Sequence, residues 1–347
     1  MKILQVGSSM PEDWGGIERY VTYLTVGLRA RGHEVRVTAP TGSPLSKNLG
    51  EGTVPLRVRA KYDFWATAQY LKLFKSTLFE VVNTHFSPDY LVPAWAAKIA
   101  RGPKMVMTRH LVLPFKPSRA RSYSKLYDLF IGVSQASGAA LTQSGLTNVH
   151  VAHAGVPPLI SKGSWTSQTS GNEALNVGIF GRLVKEKGHQ VLIEAQKGLD
   201  RVHLHIFGQG PERPNLETHT QRLGLERHCS FHGQIDEVAD AMSAMDVVAI
   251  PSLWAEAFSI AVLEAMSLGK PIVASRIGGI PEALVDEESA LLLPPGDAKA
   301  LALGIERLQS DPGARKRLGT AANRTYRDRF TVPQFAAKIE RVYSALL

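Results

Sequence analysis

Residues 247–275 read "VVAIPSLWAEAFSIAVLEAMSLGKPIVAS". The stretch opens on a short β-branched run, continues into a helical pattern over "AVLEAMSLG", and closes on a second run, "PIVAS". Ser259 is suited to cap the start of the helix, while Gly269 and Pro271 mark its end. A strand, a helix and a second strand in this order predict a crossover between parallel strands.

The same alternation continues along the chain in both directions. A sheet made by such crossovers is parallel and has helices on both faces, so we expect the α/β class, with two Rossmann-like, doubly wound domains facing across a cleft. Open sheets of this kind bind ligands at the carboxyl ends of their strands. The predicted strands lie within 3–6, 34–39, 80–85, 104–110, 129–134 and 149–156 in the first half, and within 176–183, 202–208, 229–233, 247–252, 271–275 and 290–294 in the second.

Domain boundaries follow from length and local composition. A chain of 347 residues is too long for one ordinary core, which predicts two domains. The segment 157–173, "PPLISKGSWTSQTSGNE", is rich in Ser, Thr, Gly and Pro and reads as a linker. We therefore predict a first domain over 1–156, a second over 174–328, and a C-terminal segment, 329–347, that packs back on the first domain as an amphipathic helix over 335–347.

The excess of basic over acidic residues is confined to the first half. Residues 1–155 hold 19 Lys and Arg against 9 Asp and Glu, a balance of +10, whereas 156–347 hold 21 against 22, a balance of −1. This asymmetry suggests contact with a phospholipid surface, a nucleic acid or an acidic substrate, and a merely solvated basic face is an equal alternative. Nucleic acid is the weaker expectation because no recognised binding module appears.

Compartment is indicated by what the sequence contains. The single cysteine, Cys229, permits no intrachain disulfide and fits a reducing compartment. The first residues carry only a four-residue apolar run, and no stretch approaches the roughly 18 apolar residues of a membrane span. We expect a cytoplasmic protein, with peripheral attachment to the inner face of the membrane left open.

Two glycine-containing loops are suited to phosphate. Gly15 and Gly16 open a helix after the first strand, where free N–H groups favour anions. The glycine spacing and the missing acidic residue after the next strand speak against a dinucleotide site. After the strand over 176–180, Arg182 and Lys187 suit a diphosphate, and the sequence alone does not rank Lys187 against Lys185.

Two glutamates bracket the helix of the opening stretch. Glu256 lies in the loop before the helix and Glu264 about one turn inside it, with the amides of 258–260 between them. A carboxylate accepts hydrogen bonds from both hydroxyls of a sugar diol, and a helix N-terminus favours phosphate. Two diols with a diphosphate between them describe a nucleotide sugar. A solvent-facing Glu264 is the alternative for that residue alone.

These segments resemble the retaining glycosyltransferases of family 4, which have the two-domain GT-B fold. The resemblance runs over nearly the whole chain and is strongest in "GRLVKEKG", in "FGQGPE" (207–212), in "FHG" (231–233) and in the Glu-x7-Glu element with the "GGIPEAL" that follows. It implies a retaining, hexosyltransferase-type enzyme that moves a sugar from a nucleotide-diphosphate sugar to a hydroxyl acceptor, a glycan or lipid-linked glycan of cell-envelope or polysaccharide biosynthesis. Where the family often has Asn-Gly-Val, this chain has Ala154-Gly155-Val156.

The resemblance also assigns roles to matching residues. Catalysis is implied for His110, Glu256, Arg182 and Lys187, and donor binding for Gly15, Gly16, Arg182, Lys187, Gly208, Phe258, Ser259, Ile260 and Glu264. The acceptor or membrane side is a separate hypothesis, from the clustered charge of Lys116, Arg119, Arg121 and Lys125, with Lys72 and Lys75 in the same half, and from His85, which closes a strand next to that of His110. The first domain is the one that binds the acceptor in this fold.

Metal independence is expected. No Asp-x-Asp pair is present, since "DAMSAMD" (240–246) has the wrong spacing, and the cations at Arg182 and Lys187 could stabilise the leaving group instead. No cofactor is expected beyond the donor substrate itself. A sugar-nucleotide epimerase on the same fold and a non-catalytic nucleotide-sugar binder remain alternatives.

Overall fold

The chain folds into two units, each built around one parallel β-sheet. The computed structural model describes residues 1–9, 15–165, 174–254 and 256–347. The first unit is Met1–Pro157 together with Phe330–Leu347, and the second is Pro158–Arg329. Part of the predicted linker, residues 166–173, lies outside the described residues.

The first sheet has seven strands in the order β3-β2-β1-β4-β5-β6-β7, all parallel. Chain direction reverses across the sheet at the β1/β4 pair, because β1 leads outward to β2 while β4 leads outward to β5. The strands are β1 (Lys2–Val6), β2 (Glu34–Ala39), β3 (Thr53–Pro55), β4 (Val81–Thr84), β5 (Lys104–Arg109), β6 (Leu129–Gly132) and β7 (Val149–Val151).

Helices connect these strands as the crossover pattern requires, and a single 3₁₀ turn, Ser87–Tyr90, follows β4. The helices are α1 (Gly16–Ala30), α2 (Pro44–Leu49), α3 (Phe64–Ser76), α4 (Val92–Ala100), α5 (Pro117–Ser124) and α6 (Gln135–Gln143). The central strands are buried on both faces, which is why they read as nearly continuous apolar runs in the sequence.

The second sheet has six parallel strands in the order β10-β9-β8-β11-β12-β13. Its direction reverses at the β8/β11 pair. The strands are β8 (Leu175–Phe180), β9 (Val202–Phe207), β10 (Cys229–Gly233), β11 (Val247–Ile250), β12 (Ile272–Ser275) and β13 (Leu291–Leu293). Its helices are α7 (His189–Gln196), α8 (Arg213–Arg222), α9 (Val238–Ser243), α10 (Ile260–Ser267), α11 (Ile280–Ala283), α12 (Ala298–Ser310) and α13 (Pro312–Arg329).

The last helix, α14 (Val332–Ser344), belongs to the first unit. It packs on α1, where Gly27 leaves no room for a Cβ beside Val332 and Ala336. The hydroxyl of Tyr343 accepts a hydrogen bond from Asn83 on β4 at 2.7 Å. The helix begins three residues before the predicted 335–347, because Thr331 and Gln334 form a capping box at its start, and it ends three residues early, at Ser344.

Two strand predictions are corrected by the structure. The edge strand β3 was not predicted, because its residues, Thr53–Pro55, are only partly buried or exposed and form no apolar run. The predicted strand over 149–156 is only Val149–Val151. Its last residue, Val156, instead pairs with Thr331 at the entry to α14, and Gly155 permits the approach because a Cβ there would lie 2.5 Å from the Thr331 carbonyl oxygen.

Candidate functional site

The candidate donor site lies at the carboxyl edge of the second sheet, where its direction reverses. The loop after β8 carries Arg182 and Lys187, and the loop after the neighbouring β11 carries Glu256. Because the chain leaves β8 toward one side and β11 toward the other, the two loops diverge and leave a crevice at the strand ends. The topology therefore brings together residues that are some seventy positions apart in the sequence.

Glycines let these loops pack against each other. Gly188 has a positive φ of 69°, and a Cβ at this position would lie 1.9 Å from the carbonyl oxygen of Pro251 in the loop after β11. In the same region, the amide of Leu253 donates to the Glu186 carbonyl oxygen at 2.8 Å. Only glycine permits both the backbone conformation and the close approach.

A similar contact joins the loops after β8 and β9. Gly208 has φ 133°, and a Cβ there would lie 1.9 Å from the carbonyl oxygen of Gly181. The amide of Leu183 donates to the Gln209 carbonyl oxygen at 2.8 Å. The predicted donor-site residue Gly208 therefore shapes the loop that carries Arg182.

Lys187 and Glu256 form an ion pair across the crevice. The Lys187 Nζ lies 2.9 Å from Oε1 of Glu256, whose side chain is 12% exposed. Ser252, at the end of β11, donates its hydroxyl to the same carboxylate oxygen. Burial alone would raise the pKa of Glu256, but the charge of Lys187 and the hydrogen bonds from Ser252, Lys187 and Ser259 together hold this pKa below its usual range. The carboxylate is thus ionised at neutral pH.

The structure also ranks the two lysines that the sequence left open. Lys187 reaches the glutamate, whereas Lys185 is exposed at the start of a 3₁₀ turn over Lys185–Lys187. Arg182 is exposed at the loop start, and no hydrogen bond or ion pair of its side chain is found within the described ranges. Its guanidinium can therefore bind an incoming anion without first breaking an existing interaction.

Helix α10 carries the second glutamate. Glu264 is 4% exposed, so the alternative of a solvent-facing side chain is wrong. Ser259 occupies the N-cap position as predicted, but its side chain makes no capping hydrogen bond and interacts with Glu256 instead. The preceding loop is held further by the amide of Gly279, which donates to the Glu256 carbonyl oxygen at 2.8 Å.

Two more of the predicted donor residues lie at the start of α10 or just before it. Ile260 begins α10 and is buried, and Phe258, just before the cap, is half-buried. The sequence did not point to Ser252 or Gly279, although the first ends a predicted strand and the second lies in the "GGIPEAL" element. A polar residue at a strand's carboxyl end is the signal that could have found Ser252.

A histidine pair lies at the carboxyl edge of the first sheet. His85 follows β4 and His110 follows β5, and the His85 Nδ1 lies 3.4 Å from the His110 Nε2. Gln5 on β1 accepts from the other His85 nitrogen at 2.7 Å, and the Tyr20 ring lies edge-on to His110 with centroids 4.6 Å apart. Neither Gln5 nor Tyr20 was singled out in the sequence.

Both histidines are neutral at physiological pH. Burial, together with the charge of Arg109, lowers the pKa of His110 to about 3, and burial with His110 as neighbour lowers the pKa of His85 well below its usual value. With Gln5 Oε1 facing the ring, the proton of His85 is on Nε2, so its Nδ1 accepts from His110 Nε2. The other nitrogen of His110, Nδ1, is then left as a hydrogen-bond acceptor.

At the N-terminus of α1, the amide of Gly15 is already hydrogen-bonded within the same segment. Gly15 precedes the helix and its amide donates to Oε2 of Glu18 at 3.0 Å. Gly16 is the first helical residue and is exposed. The stretch 10–14 just before them lies outside the described residues.

The predicted basic segment forms α5 and its flanks. Lys116, Arg119, Arg121 and Lys125 are all exposed, whereas Tyr123 in the same segment is buried, with its ring centroid 4.9 Å from that of Phe115. Lys72 and Lys75 are exposed on the second half of α3. The cations therefore lie on a surface, and the tyrosine belongs to the core beneath it.

The described residues contain no group of three or more His, Cys, Asp or Glu side chains arranged to hold a metal ion. None of their helices combines the length and the apolar character needed to cross a bilayer.

Comparison with known proteins gives the class. The family described as Glycosyl transferases group 1 matches residues 166–325, and the one described as Glycosyltransferase Family 4 matches residues 14–158. Between them the two matches take in most of both units.

Two curated relatives extend over almost the whole chain. A lipopolysaccharide core biosynthesis glycosyltransferase of Rhizobium meliloti, LpsD, is 29% identical and covers 91% of each chain. A phosphatidyl-myo-inositol mannosyltransferase of Mycobacterium leprae is 29% identical and covers 96% of this chain and 93% of its own.

A solved structure has the same fold. The Anabaena protein HepE, in complex with UDP-glucose, superposes with a TM-score of 0.85 at 25% identity over 99% of this chain and 100% of its own. The two sheets of this chain, its matched families and its relatives define a glycosyltransferase of the GT-B class. Within that class the chain is similar to the family 4 enzymes, whose model matches its first unit, as the sequence resemblance implied. The predicted fold class and the predicted glycosyl transfer are both confirmed.

Proposed function

We propose that the protein transfers a sugar from a nucleotide-diphosphate sugar to a hydroxyl of a glycan or lipid-linked glycan, with retention at the anomeric carbon and without a metal ion. The observation that carries this proposal is the Lys187–Glu256 ion pair in the same crevice as the exposed Arg182, at the carboxyl edge of a doubly wound sheet. The complexes of HepE with UDP and with UDP-glucose support the donor class.

Two cations and a helix terminus supply the electrostatics of the leaving group. When the bond from the sugar to phosphate breaks, negative charge grows on the diphosphate. Arg182 and Lys187 can neutralise it, and the N-terminal amides of α10 add partial positive charge. Lys187 is held by its ion pair with Glu256 before the donor arrives, and the start of α10 is part of the fold, so both need little reorganisation.

Glu256 has the role of a sugar ligand in this proposal. Its depressed pKa keeps it an acceptor of hydroxyl hydrogen bonds, and donor binding shares Lys187 between the carboxylate and the diphosphate. Glu264, about one turn inside α10, accepts from the ribose hydroxyls. Gly16 offers its amide to a donor phosphate, and the neutral His110 offers Nδ1 as an acceptor near the reacting sugar.

The proposed reaction is a front-face substitution. The bond between the anomeric carbon and the phosphate oxygen breaks, and the acceptor oxygen bonds to the same face of that carbon. The acceptor proton passes to the departing phosphate oxygen. A double displacement through Glu256 is the competing route, and isolation of a covalent glycosyl–Glu256 adduct would replace the front-face mechanism with it.

The acceptor side of the proposal rests on the first unit and on the named relatives. LpsD acts in lipopolysaccharide core biosynthesis, and the second relative is named for phosphatidyl-myo-inositol. Both names refer to membrane amphiphiles. The exposed cations of α5 are suited to anionic headgroups, and we place the protein in the cytoplasm, at the inner face of the membrane.

Donor screening followed by product analysis tests the function. A panel of nucleotide sugars is added to the full chain, and a bound donor should raise Tm in proportion to its affinity. The stabilising donor is then incubated with lipid-linked and free glycan acceptors in the presence of EDTA, and NMR reads the anomeric configuration. Donor turnover that needs no acceptor would favour the epimerase, and an inverted product or a requirement for divalent metal would contradict the mechanism.

A further inference from the structure

Three large aromatic side chains stand in solvent at the start of α3. Tyr62 is 65% exposed, Phe64 83% and Trp65 84%. Single exposed apolar residues are ordinary on protein surfaces, but three highly exposed aromatics within four residues concentrate apolar area in one short segment, which is typical of an interaction site.

Local structure holds these rings outward. Asp63 is the N-cap of α3 and accepts hydrogen bonds from the amides of Ala66 at 2.9 Å and Arg59 at 3.0 Å. These backbone hydrogen bonds lower the pKa of Asp63, so its carboxylate is already engaged and ionised. Phe64 and Trp65 therefore form a fixed first helical turn and are not part of a loose loop.

Cations surround the aromatics. Arg57, Arg59 and Lys61 precede them in the chain and are exposed, and the Lys61 Nζ lies 4.9 Å from the centre of the Tyr62 ring. Asp63 is the only acidic residue between 57 and 65. An apolar cluster bordered by lysine and arginine matches the chemistry of an anionic lipid headgroup layer above acyl chains.

Contacts in the first unit connect this loop to the basic helix α5. The Ser9 hydroxyl donates to the Val58 carbonyl oxygen at 3.4 Å and to Oδ1 of Asp89 at 2.6 Å. The ring of Tyr90, the residue after Asp89, has its centroid 5.8 Å from that of Tyr123 on α5. Both elements follow carboxyl ends of strands, β3 and β5, and so belong to the same edge of the sheet.

A second apolar segment follows the candidate histidine directly. Leu111 is 47% exposed and Leu113 is 68% exposed. The backbone there is fixed, because a guanidinium nitrogen of Arg109 donates to the Leu113 carbonyl oxygen at 3.2 Å. His110 thus lies next to the exposed leucines along the chain.

We propose that residues 57–65, together with Leu111, Leu113 and the cations of α5, form an interfacial surface that inserts into an anionic phospholipid bilayer. The rings and leucines enter the headgroup boundary, and the cations bind the anionic headgroups around them. The inference deepens the proposed function by making the acceptor a bilayer-resident amphiphile, presented at the edge that holds His110. A purely electrostatic attachment would need the cations alone and would leave the aromatics without a role.

Vesicle binding of the full chain tests this surface. Cosedimentation is measured with phosphatidylcholine vesicles and with vesicles containing about one-third phosphatidylglycerol. We expect binding to the anionic vesicles only, and at least about a tenfold loss of affinity in the double variant Phe64→Ser/Trp65→Ser. Brominated acyl chains should quench the tryptophan fluorescence of the wild type. Most of this quenching should be lost in Trp65→Phe.

A matched control lies just beyond the other end of the same helix. Leu78 is 80% exposed beyond the C-terminus of α3, and Leu78→Ser should bind vesicles as the wild type does. Equal wild-type binding to neutral and anionic vesicles would overturn the proposal, and so would unchanged binding by the double variant. Binding to a soluble polyanion such as heparin without vesicle binding would point to nucleic acid or another polyanion and would likewise overturn it.

The two proposals fail separately. Donor binding, read as a rise in Tm with a nucleotide sugar, involves no vesicle. A chain that binds a nucleotide sugar but no vesicle keeps the proposed transfer and loses the interfacial surface, and the opposite result keeps the surface alone.

Discussion

The ammonium of Lys187 lies 2.9 Å from the carboxylate of Glu256, and this contact joins the loops that follow two adjacent strands, β8 and β11. The glutamate is about nine-tenths buried, so the lysine is the main charge that keeps it ionised there. The pair therefore links the structure of the crevice to its proposed chemistry.

Removing the lysine tests this link. In Lys187→Met we expect donor affinity and kcat/KM to fall by about a hundredfold or more, because the diphosphate loses a positioned cation. The unpaired Glu256 should also cost about 1–2 kcal/mol of unfolding free energy near neutral pH. Isothermal calorimetry, kinetics and thermal melts measure these effects. Lys185→Met is the control, and equal losses in both variants would contradict a specific role for Lys187.

Substitutions of Glu256 and Glu264 should affect different quantities, one the rate and the other donor affinity. Glu264→Ala removes the proposed ribose contact and should weaken donor binding, whereas Glu256→Ala should mainly lower kcat because it meets the transferred sugar. Calorimetric Kd values and steady-state rates resolve the difference. Since Glu264 is buried, Glu264→Gln is measured beside it to separate lost binding from lost stability. Unchanged kinetics in both alanine variants would remove the site assignment.

Glycine is required at position 188 for two reasons, its positive φ and the close approach of the Pro251 carbonyl group. Gly188→Ala should cost about 3 kcal/mol, because strain at positive φ adds to a clash with the Pro251 carbonyl. Gly224 has the same φ of 69° with nothing within 4 Å of a Cβ, so Gly224→Ala should cost only about 1 kcal/mol. Chemical denaturation of the two variants compares these costs, and equal values would argue against the loop contact.

Within the second unit, Asp240 on α9 holds the segment 161–164 by hydrogen bonds. Its carboxylate accepts from the hydroxyls of Ser161 and Ser164 and from three backbone amides of the segment. Those hydrogen bonds, led by Ser164 and Ser161, hold the pKa of Asp240 well below its usual range. Asp240→Asn should lower Tm and expose the segment to proteolysis.

The pH dependence of that effect has a definite sign. A carboxyl whose folded pKa is depressed stabilises the fold above its unfolded pKa, near 4, and loses that contribution as pH falls further. The Tm difference between wild type and Asp240→Asn should be constant above about pH 5 and shrink below about pH 4. A difference that grows on acidification would contradict this.

A histidine cluster on β9 and β10 makes the second unit sensitive to acid. Burial, with His203 and His232 as neighbours, lowers the pKa of His205 to about 3, and its Nδ1 lies 3.0 Å from His232 Nε2. A depressed histidine pKa stabilises the fold above about pH 6.5 and loses this as pH falls toward 3. Between pH 7 and pH 5 the free energy of unfolding of the wild type should fall by about 1–2 kcal/mol more than that of His205→Asn. Denaturation at both pH values, with the exposed His150→Asn as control, measures it.

The alternation of runs and helical patterns was enough to predict two parallel sheets, because the central strands are buried on both faces and read as apolar runs. The edge strand β3 was missed because its three residues are only partly buried or exposed and form no apolar run. The sequence likewise placed Glu256 in a loop and Glu264 inside a helix, from the cap at Ser259 and the turn at Gly269.

Sequence by itself determined the class of the chain, the position of its loops and the residue types suited to a nucleotide sugar. Only the tertiary structure decided that Lys187 and not Lys185 meets Glu256, that Glu264 is buried, and that Tyr62, Phe64 and Trp65 are exposed. The physical reason is that periodicity depends on neighbours a few residues away. An ion pair between loops, by contrast, depends on which strands lie side by side, and a bare aromatic surface depends on what the rest of the fold leaves uncovered.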